Sequence, residues 1–344
     1  VILIVGASLA GIMAARVLAV ASVPFTLIDR STFTHPKACG EGLSSIGYAN
    51  LPAIFSEVVH PHFGYKFRHS DFSTTVRHGK PVLYGVSRET LHKLLLRDLP
   101  TEALRFSEVL SNLDRNLTVT TKKEVFRPNI IIAADGPNST VAKLLSIPWI
   151  SPPKNRWGLK FNIPLKEENH DLVEIFLHRD HEVYFTRVGE QVLNVSILGT
   201  KESVFSYNRP GAIGLGPLCG RRVQPNDLPI FFSGDAIESL DPLGGMGMTH
   251  AILTGELAGE MAIKLYRQED TQKRILEEYK TKREAIANKL RAFTSMAGLS
   301  MKFLMPNSYV PRKLIEQGAF SLKAALINER TFGSRLLSLV GHYL

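Results

Sequence analysis

Six residues near the start of the chain constrain its fold more than any others: Gly6-Ala7-Ser8-Leu9-Ala10-Gly11. They follow a β-branched apolar run, Val1–Val5, and open a helical stretch that reaches about Ala21. A second strand-like run, Pro24–Asp29, comes next. This β-turn-α-β order is the opening of a parallel doubly wound sheet. A strand that turns this abruptly into a helix needs glycine, because the backbone must fold tightly and approach a ligand closely. The helix then presents free N–H groups and the positive end of its dipole, which suits a phosphate. Ser8 replaces the middle glycine of the dinucleotide fingerprint, yet it is small and its hydroxyl can donate to phosphate. Asp29 ends the second strand, where a carboxylate accepts hydrogen bonds from ribose hydroxyls. The order predicts dinucleotide binding through Gly6, Ser8, Leu9, Ala10, Gly11, Asp29 and its neighbour Arg30.

Further along, Ser31–Gly47 is polar and glycine-dotted and reads as a loop. Tyr65–Val76 alternates in part and suggests strands, and Ser87–Leu99 has a Ser cap followed by apolar residues at helical spacing. Asn129–Ala134 is an apolar strand ending at Asp135-Gly136. From Trp157 the texture changes. Trp157–Ile163, Leu172–His178, Glu182–Arg187 and Val192–Leu198 are short strands between polar turns, the pattern of an antiparallel sheet. Gly199–Gly216 carries no assignable pattern. Ile230–Ser233 returns to a buried strand, leading into Gly234-Asp235-Ala236, then Asp241-Pro242-Leu243-Gly244-Gly245-Met246-Gly247-Met248 and a helix to Tyr266. From about Gln268 the chain reads as helical, with Gly298 and Pro306 as break points. The expected architecture is α/β. A doubly wound, Rossmann-like domain (residues 1–60, 85–150 and 228–266) is interrupted by a mostly antiparallel β substrate domain (61–84 and 151–227). A helical C-terminal region (267–344) follows.

Asp235 closes an apolar strand and could hold ribose or ribityl hydroxyls. The Gly244–Met248 stretch starts a helix whose N-terminal dipole would stabilise negative charge on a bound ring. Asp135-Gly136 alone reads as a turn, but after an apolar strand Asp135 is kept among the expected cofactor-binding residues. Arg88, at a helix start, is a cation able to reach a pyrophosphate.

Charge is uneven. The net charge is +9, and from Lys264 to Leu344 there are 15 Lys or Arg against 7 Asp or Glu. Such a tail is either a solvated helical face or a docking surface for anionic lipid or an acidic protein. Nothing resembles a nucleic-acid-binding motif, and no metal-ligand spacing is present. Cys39 and Cys219 are the only cysteines, so a reducing, cytoplasmic setting is expected, with the tail offering a peripheral membrane contact. No apolar run reaches the ~20 residues that span a bilayer. Val1–Ala21, with glycines at 6 and 11 and no basic flank before it, reads as strand, turn and helix and not as a leader.

Three passages, Lys37-Ala38-Cys39-Gly40-Glu41-Gly42-Leu43-Ser44, Val86-Ser87-Arg88 and Gly234–Gly247, resemble the geranylgeranyl reductase group of the p-hydroxybenzoate hydroxylase-like flavoproteins. The resemblance covers most of residues 1–265. It implies FAD as cofactor, held by Gly6, Ser8, Gly11, Asp29, Arg88 and Asp235, with Gly244–Met248 beside the isoalloxazine. It also brings Cys39 near the flavin, as a proton donor or as a small residue of a contacting loop; Glu41 is equally open, and Cys219 is read as structural.

The implied activity is hydride transfer at flavin N5 to or from a bulky lipidic or carrier-linked substrate. The alternatives are a flavin-dependent monooxygenase acting on a small molecule, and a flavoprotein that modifies a protein partner. No second glycine-rich turn marks a nicotinamide domain, so electrons are expected from a transiently bound NAD(P)H or a separate reductase. Where the isoprenoid reductases carry Phe-Pro, this chain has Thr186-Arg187, a polar pair that argues against a purely hydrocarbon pocket. Flavin-dependent halogenases are also relatives, but their Trp-x-Trp-x-Ile-Pro signature is not matched by Trp157–Pro164.

Overall fold

The computed structural model describes residues 1–33, 37–69, 72–166 and 170–304. Its organising element is a five-stranded, all-parallel sheet. The strands lie in the order Ile230–Phe232, Ile130–Ala133, Ile2–Val5, Phe25–Ile28 and Leu104–Arg105. Ile2–Val5 and Ile130–Ala133 are buried along their whole length, as expected of strands covered on both faces. One face carries the Leu9–Val20 and Gly247–Tyr266 helices, packed with Ile2, Ile4, Leu27 and Ile132. These two helices cross closely because Gly255 lacks a side chain; a Cβ there would sit 2.3 Å from the Ala10 carbonyl oxygen. The other face buries Leu3, Val5, Ile131 and Phe232 beneath a small antiparallel sheet (Leu110–Leu113, Val119–Thr121, Val125–Phe126) and the Thr140–Leu144 helix.

A second, seven-stranded sheet runs Ile213–Leu215, Trp157–Pro164, Val192–Gly199, His181–Gly189, Val173–Leu177, Gly64–His69 and Phe72–Arg77. It is antiparallel except where Val173–Leu177 pairs parallel with Gly64–His69. That one pairing joins the two separated stretches into one sheet. Cross-strand partners share a face. Lys160 and Tyr184 both lie opposite Ser196, while Asn162 and Thr186 both lie opposite Asn194, so one face is polar. The reverse face buries Leu159, Phe161, Val183, Val195 and Ile197.

Three local expectations are corrected. Ser31–Gly47 is not loop throughout: Gly42–Ser44 is a strand paired with Leu83–Gly85, and Ser45–Ala49 is a helix capped by the Ser44 hydroxyl. A three-residue strand has too few positions to show a period. Gly199–Gly216 contains the Lys201–Phe205 helix, capped by Thr200, and the edge strand Ile213–Leu215. Gly298 does not break the last helix, which runs Gln272–Leu304. An interior glycine costs a helix only about 1 kcal/mol, which a long helix absorbs. Pro306 and the rest of the basic tail beyond 304 lie outside the described residues.

Candidate cofactor and active site

The carboxyl ends of the parallel strands carry the polar residues that the sequence singled out. Gly6 follows Ile2–Val5, Asp29 follows Phe25–Ile28, Asp135 follows Ile130–Ala133, and Asp235 follows Ile230–Phe232. In doubly wound sheets this is the edge at which ligands bind.

The Gly6 turn is compressed to the limit. Gly6 has φ +107° and a Cβ there would lie 2.4 Å from the Ala134 carbonyl oxygen; a Cβ on Gly11 would lie 1.9 Å from that of Gly6. Asp29 is buried and braces the turn, its Oδ2 accepting the Ala7 N–H at 2.6 Å and its Oδ1 the Ser31 N–H at 2.8 Å. Arg30 is exposed. The Leu9 and Ala10 side chains are buried in the core, so those residues offer a ligand only their backbone. Ser87 caps the Arg88–Arg97 helix. Arg88 reaches back from that helix so that its Nη2 donates to Ser8 Oγ at 2.7 Å and to His92 Nε2 at 3.0 Å. Its Nε is buried without a partner. An orphaned guanidinium N–H over a glycine turn fits a phosphate oxygen.

Asp135 is partly committed: its Oδ2 accepts the Thr140 and Val141 N–H groups at 2.6 and 3.0 Å, while Oδ1 is buried and unpartnered. Burial raises its pKa against those hydrogen bonds. Asp235 bonds Lys37 Nζ at 2.6 Å. Burial pushes the Asp235 pKa upward, but the Lys37 ammonium outweighs it and holds the carboxyl below its usual range. Beside them, His250 is fully buried with both ring nitrogens unpartnered, and burial depresses its pKa to about 4.

The Pro242–Gly244 turn is capped by Asp241, whose Oδ1 accepts the Leu243 N–H at 3.0 Å, and it is closed by Gly245 at φ +64°. Cβ atoms on Gly245 or Gly247 would meet nothing within 4 Å, so the backbone here faces open space. Met246 and Met248 turn their side chains into the core. The C-terminal helix holds this loop from behind. Arg291 Nη1 donates to both Glu238 carboxylate oxygens at 2.6 and 2.7 Å, and a Cβ on Gly244 would meet Thr294 Oγ1 at 2.4 Å. Some of the basic excess is therefore internal, since Arg291 and the buried Arg283 face Glu238 and Glu284.

Cys39 is half-buried against the core beneath the parallel sheet, its Sγ accepting the Glu41 N–H at 3.4 Å. Its carbonyl oxygen accepts from Asn194 Nδ2 at 3.1 Å and Ser196 Oγ at 3.3 Å, so the polar face of the second sheet meets the Cys39 loop directly. Ser44 Oγ bonds Thr249 Oγ1 at 2.7 Å and ties the same run to the Gly247–Tyr266 helix. Cys219 is largely enclosed, its pKa pushed up to about 12 chiefly by burial. The inference from Thr186-Arg187 needs correction at Arg187 only. Arg187 donates to the Gly189 and Glu190 carbonyls and so closes its own turn. Thr186 stays on the polar face, opposite Asn194, with Lys160, Tyr184 and Ser196.

Sequence reasoning missed Lys37, Lys160, Asn194 and His250. Lys160 left a signal, as the one cation inside the apolar Trp157–Ile163 strand, and Lys37 opens the Cys39 run without a role assigned to it.

No family model matches the chain. Over 323 residues it is 24% identical to digeranylgeranylglycerophospholipid reductase 1 of Methanosphaera stadtmanae, covering 81% of this chain and 78% of that one. Its fold is similar to a geranylgeranyl bacteriochlorophyll reductase-like protein from Thermoplasma acidophilum (TM-score 0.73, 18% identity, 95% and 97% of the two chains). It is also similar to the tetrameric form of 2-methyl-3-hydroxypyridine-5-carboxylic acid oxygenase (TM-score 0.71, 15% identity, 93% and 95%). These likenesses show the fold, which the chain shares along nearly its whole length with a reductase-like protein and with an oxygenase. In sequence the chain is similar to a digeranylgeranylglycerophospholipid reductase, in line with the resemblance that the Cys-Gly-Glu-Gly-Leu-Ser run carries.

Proposed function

We propose that this chain binds FAD along the carboxyl edge of its parallel sheet and uses it to reduce or dehydrogenate a bulky lipidic or carrier-linked substrate. The observation that carries the cofactor assignment is the meeting of Arg88 with Ser8 over the Gly6–Gly11 turn, with one guanidinium N–H buried and unspent. In this reading the turn and Arg88 hold the pyrophosphate, Asp29 the ribose, and Asp235, poised by Lys37, the ribityl chain. The open backbone at Gly245–Gly247 borders the ring. FAD, when bound, supplies the two-electron acceptor and donor. The protein's share is to orient substrate between the Gly244–Met248 loop and the polar sheet face, and to hold a proton at Cys39. Electrons come from transient NAD(P)H or a separate reductase. The relative that is a digeranylgeranylglycerophospholipid reductase favours the lipidic substrate.

One observation favours the monooxygenase reading: on the sheet face that meets the Cys39 loop, the Tyr184 hydroxyl is buried without a partner, beside Lys160, Asn194 and Ser196 that are bonded to that loop, a polar setting that suits a small polar substrate. Rapid mixing of reduced, FAD-loaded protein with oxygenated buffer, with a panel of small aromatic acids, separates the two. Direct return of the oxidised flavin spectrum supports the reductase. A discrete absorbance phase before it would replace that reading with the monooxygenase.

A further inference from the structure

At Glu41 three separate parts of the molecule converge on a single carboxylate. It is only 2% exposed. Its Oε1 accepts the backbone N–H of Arg88 at 2.9 Å and Lys160 Nζ at 2.8 Å; its Oε2 accepts Asn194 Nδ2 at 2.8 Å. Arg88 begins the helix that reaches over the Gly6 turn, whereas Lys160 and Asn194 belong to the second sheet. Glu41 itself lies two residues from Cys39, and its N–H donates to the Cys39 sulfur. The residue also adopts φ +55°, a left-handed conformation that side-chain-bearing residues avoid. Such a conformation persists only where the surroundings over-determine it, and it clusters at functional sites.

We infer that Glu41 is a positioning residue, which registers the Cys39–Gly40 loop against both the Arg88 helix and the second sheet, so that cofactor-side and substrate-side groups keep a fixed relation. The inference rests on the reading of Cys39 and Arg88 given under Proposed function. The Lys160 pair supplies the specificity of the junction. A buried carboxylate that loses its ammonium, or the reverse, leaves an uncompensated charge, so the junction tolerates no partial register.

The test uses the full chain, apo and FAD-loaded, as wild type, Glu41→Gln, Lys160→Gln and the double variant. Alkylation of Cys39 by iodoacetamide is followed by peptide mass mapping, with Cys219 as internal reference. FAD affinity and the thermal midpoint are measured in parallel. The double variant leaves neither buried charge alone, and its midpoint returns toward wild type. The expected result is that Cys39 alkylation stays at least fivefold faster in it, and that FAD binding stays about tenfold weaker. Recovery of the alkylation rate together with the midpoint would reduce Glu41 to a stabilising contact and overturn the inference. So would a Glu41→Gln alkylation rate within twofold of wild type. If the wild-type chain binds no FAD, the function proposed above fails, while the alkylation rates of the apo proteins still decide the role of Glu41.

Discussion

Arg88 Nη2 donates to Ser8 Oγ at 2.7 Å across 80 residues of sequence. The contact replaces the missing middle glycine of the turn with a hydroxyl that a cation holds in place. Arg88→Met removes both the Ser8 contact and the unspent Nε–H. Charge-assisted hydrogen bonds contribute about 1.5–3 kcal/mol each, so FAD affinity should fall roughly 10- to 100-fold. Fluorescence titration of the apoprotein measures this; an unchanged dissociation constant would remove Arg88 from the cofactor site.

Gly11 and Gly136 separate steric from conformational need. A Cβ at Gly11 runs into the Gly6 carbonyl oxygen, whereas at Gly136, φ +82°, it meets nothing within 4 Å. Gly11→Ala should cost about 3 kcal/mol or more, since backbone must move. Gly136→Ala should cost about 1 kcal/mol from backbone strain alone. Urea unfolding of both variants checks the order, and equal losses would contradict it.

Two buried histidines give the fold an acid-sensitive window. Burial lowers the pKa of His62 and of His250 from 6.5 to about 4. A folded-state pKa below the unfolded one means that the unfolded chain takes up the proton first. Stability therefore is full above pH 6.5 and falls as pH drops toward 4, by about 3 kcal/mol for each histidine over the whole window. Replacing His250 by Gln should flatten the decline between pH 6.5 and 5 by about 2 kcal/mol. Chemical unfolding at a series of pH values reads the slope, and a variant slope equal to wild type would refute the assignment.

Glu256 works in the opposite sense. On the Gly247–Tyr266 helix, burial first and then Glu260, one turn on, raise its pKa from 4.5 to about 7. The folded state thus binds the proton more tightly than the unfolded one, and stability is lost as pH rises from 4.5 through 7. Because the carboxyl is half-exposed, solvent screening reduces the effect to about 1 kcal/mol. Glu256→Gln should raise the midpoint at pH 8 and bring no gain at pH 4.5; a gain independent of pH would point to helix propensity instead.

Much of this molecule was legible in its sequence. The Gly6–Gly11 turn, Asp29, Asp135 and Asp235 each follow a short apolar strand, and such strands announce themselves because burial on both faces demands uninterrupted Val, Ile and Ala. The Ser87 cap and the alternating strands from Trp157 onward are likewise local patterns, fixed by hydrogen bonding and pleat within a few residues. Packing, and nothing local, sets which distant side chains share a site. Lys37 meets Asp235, Lys160 and Asn194 meet Glu41, and His250 lies in the field of Asp235 and Arg283. No period or spacing encodes these contacts. They arise because a parallel pairing between Gly64–His69 and Val173–Leu177 assembles the second sheet from two separate stretches, and because that sheet's polar face then closes on the Cys39 loop. Local patterning fixes where the backbone turns and what it buries; long-range contact fixes which charges meet, because a buried charge needs a partner wherever along the chain that partner lies.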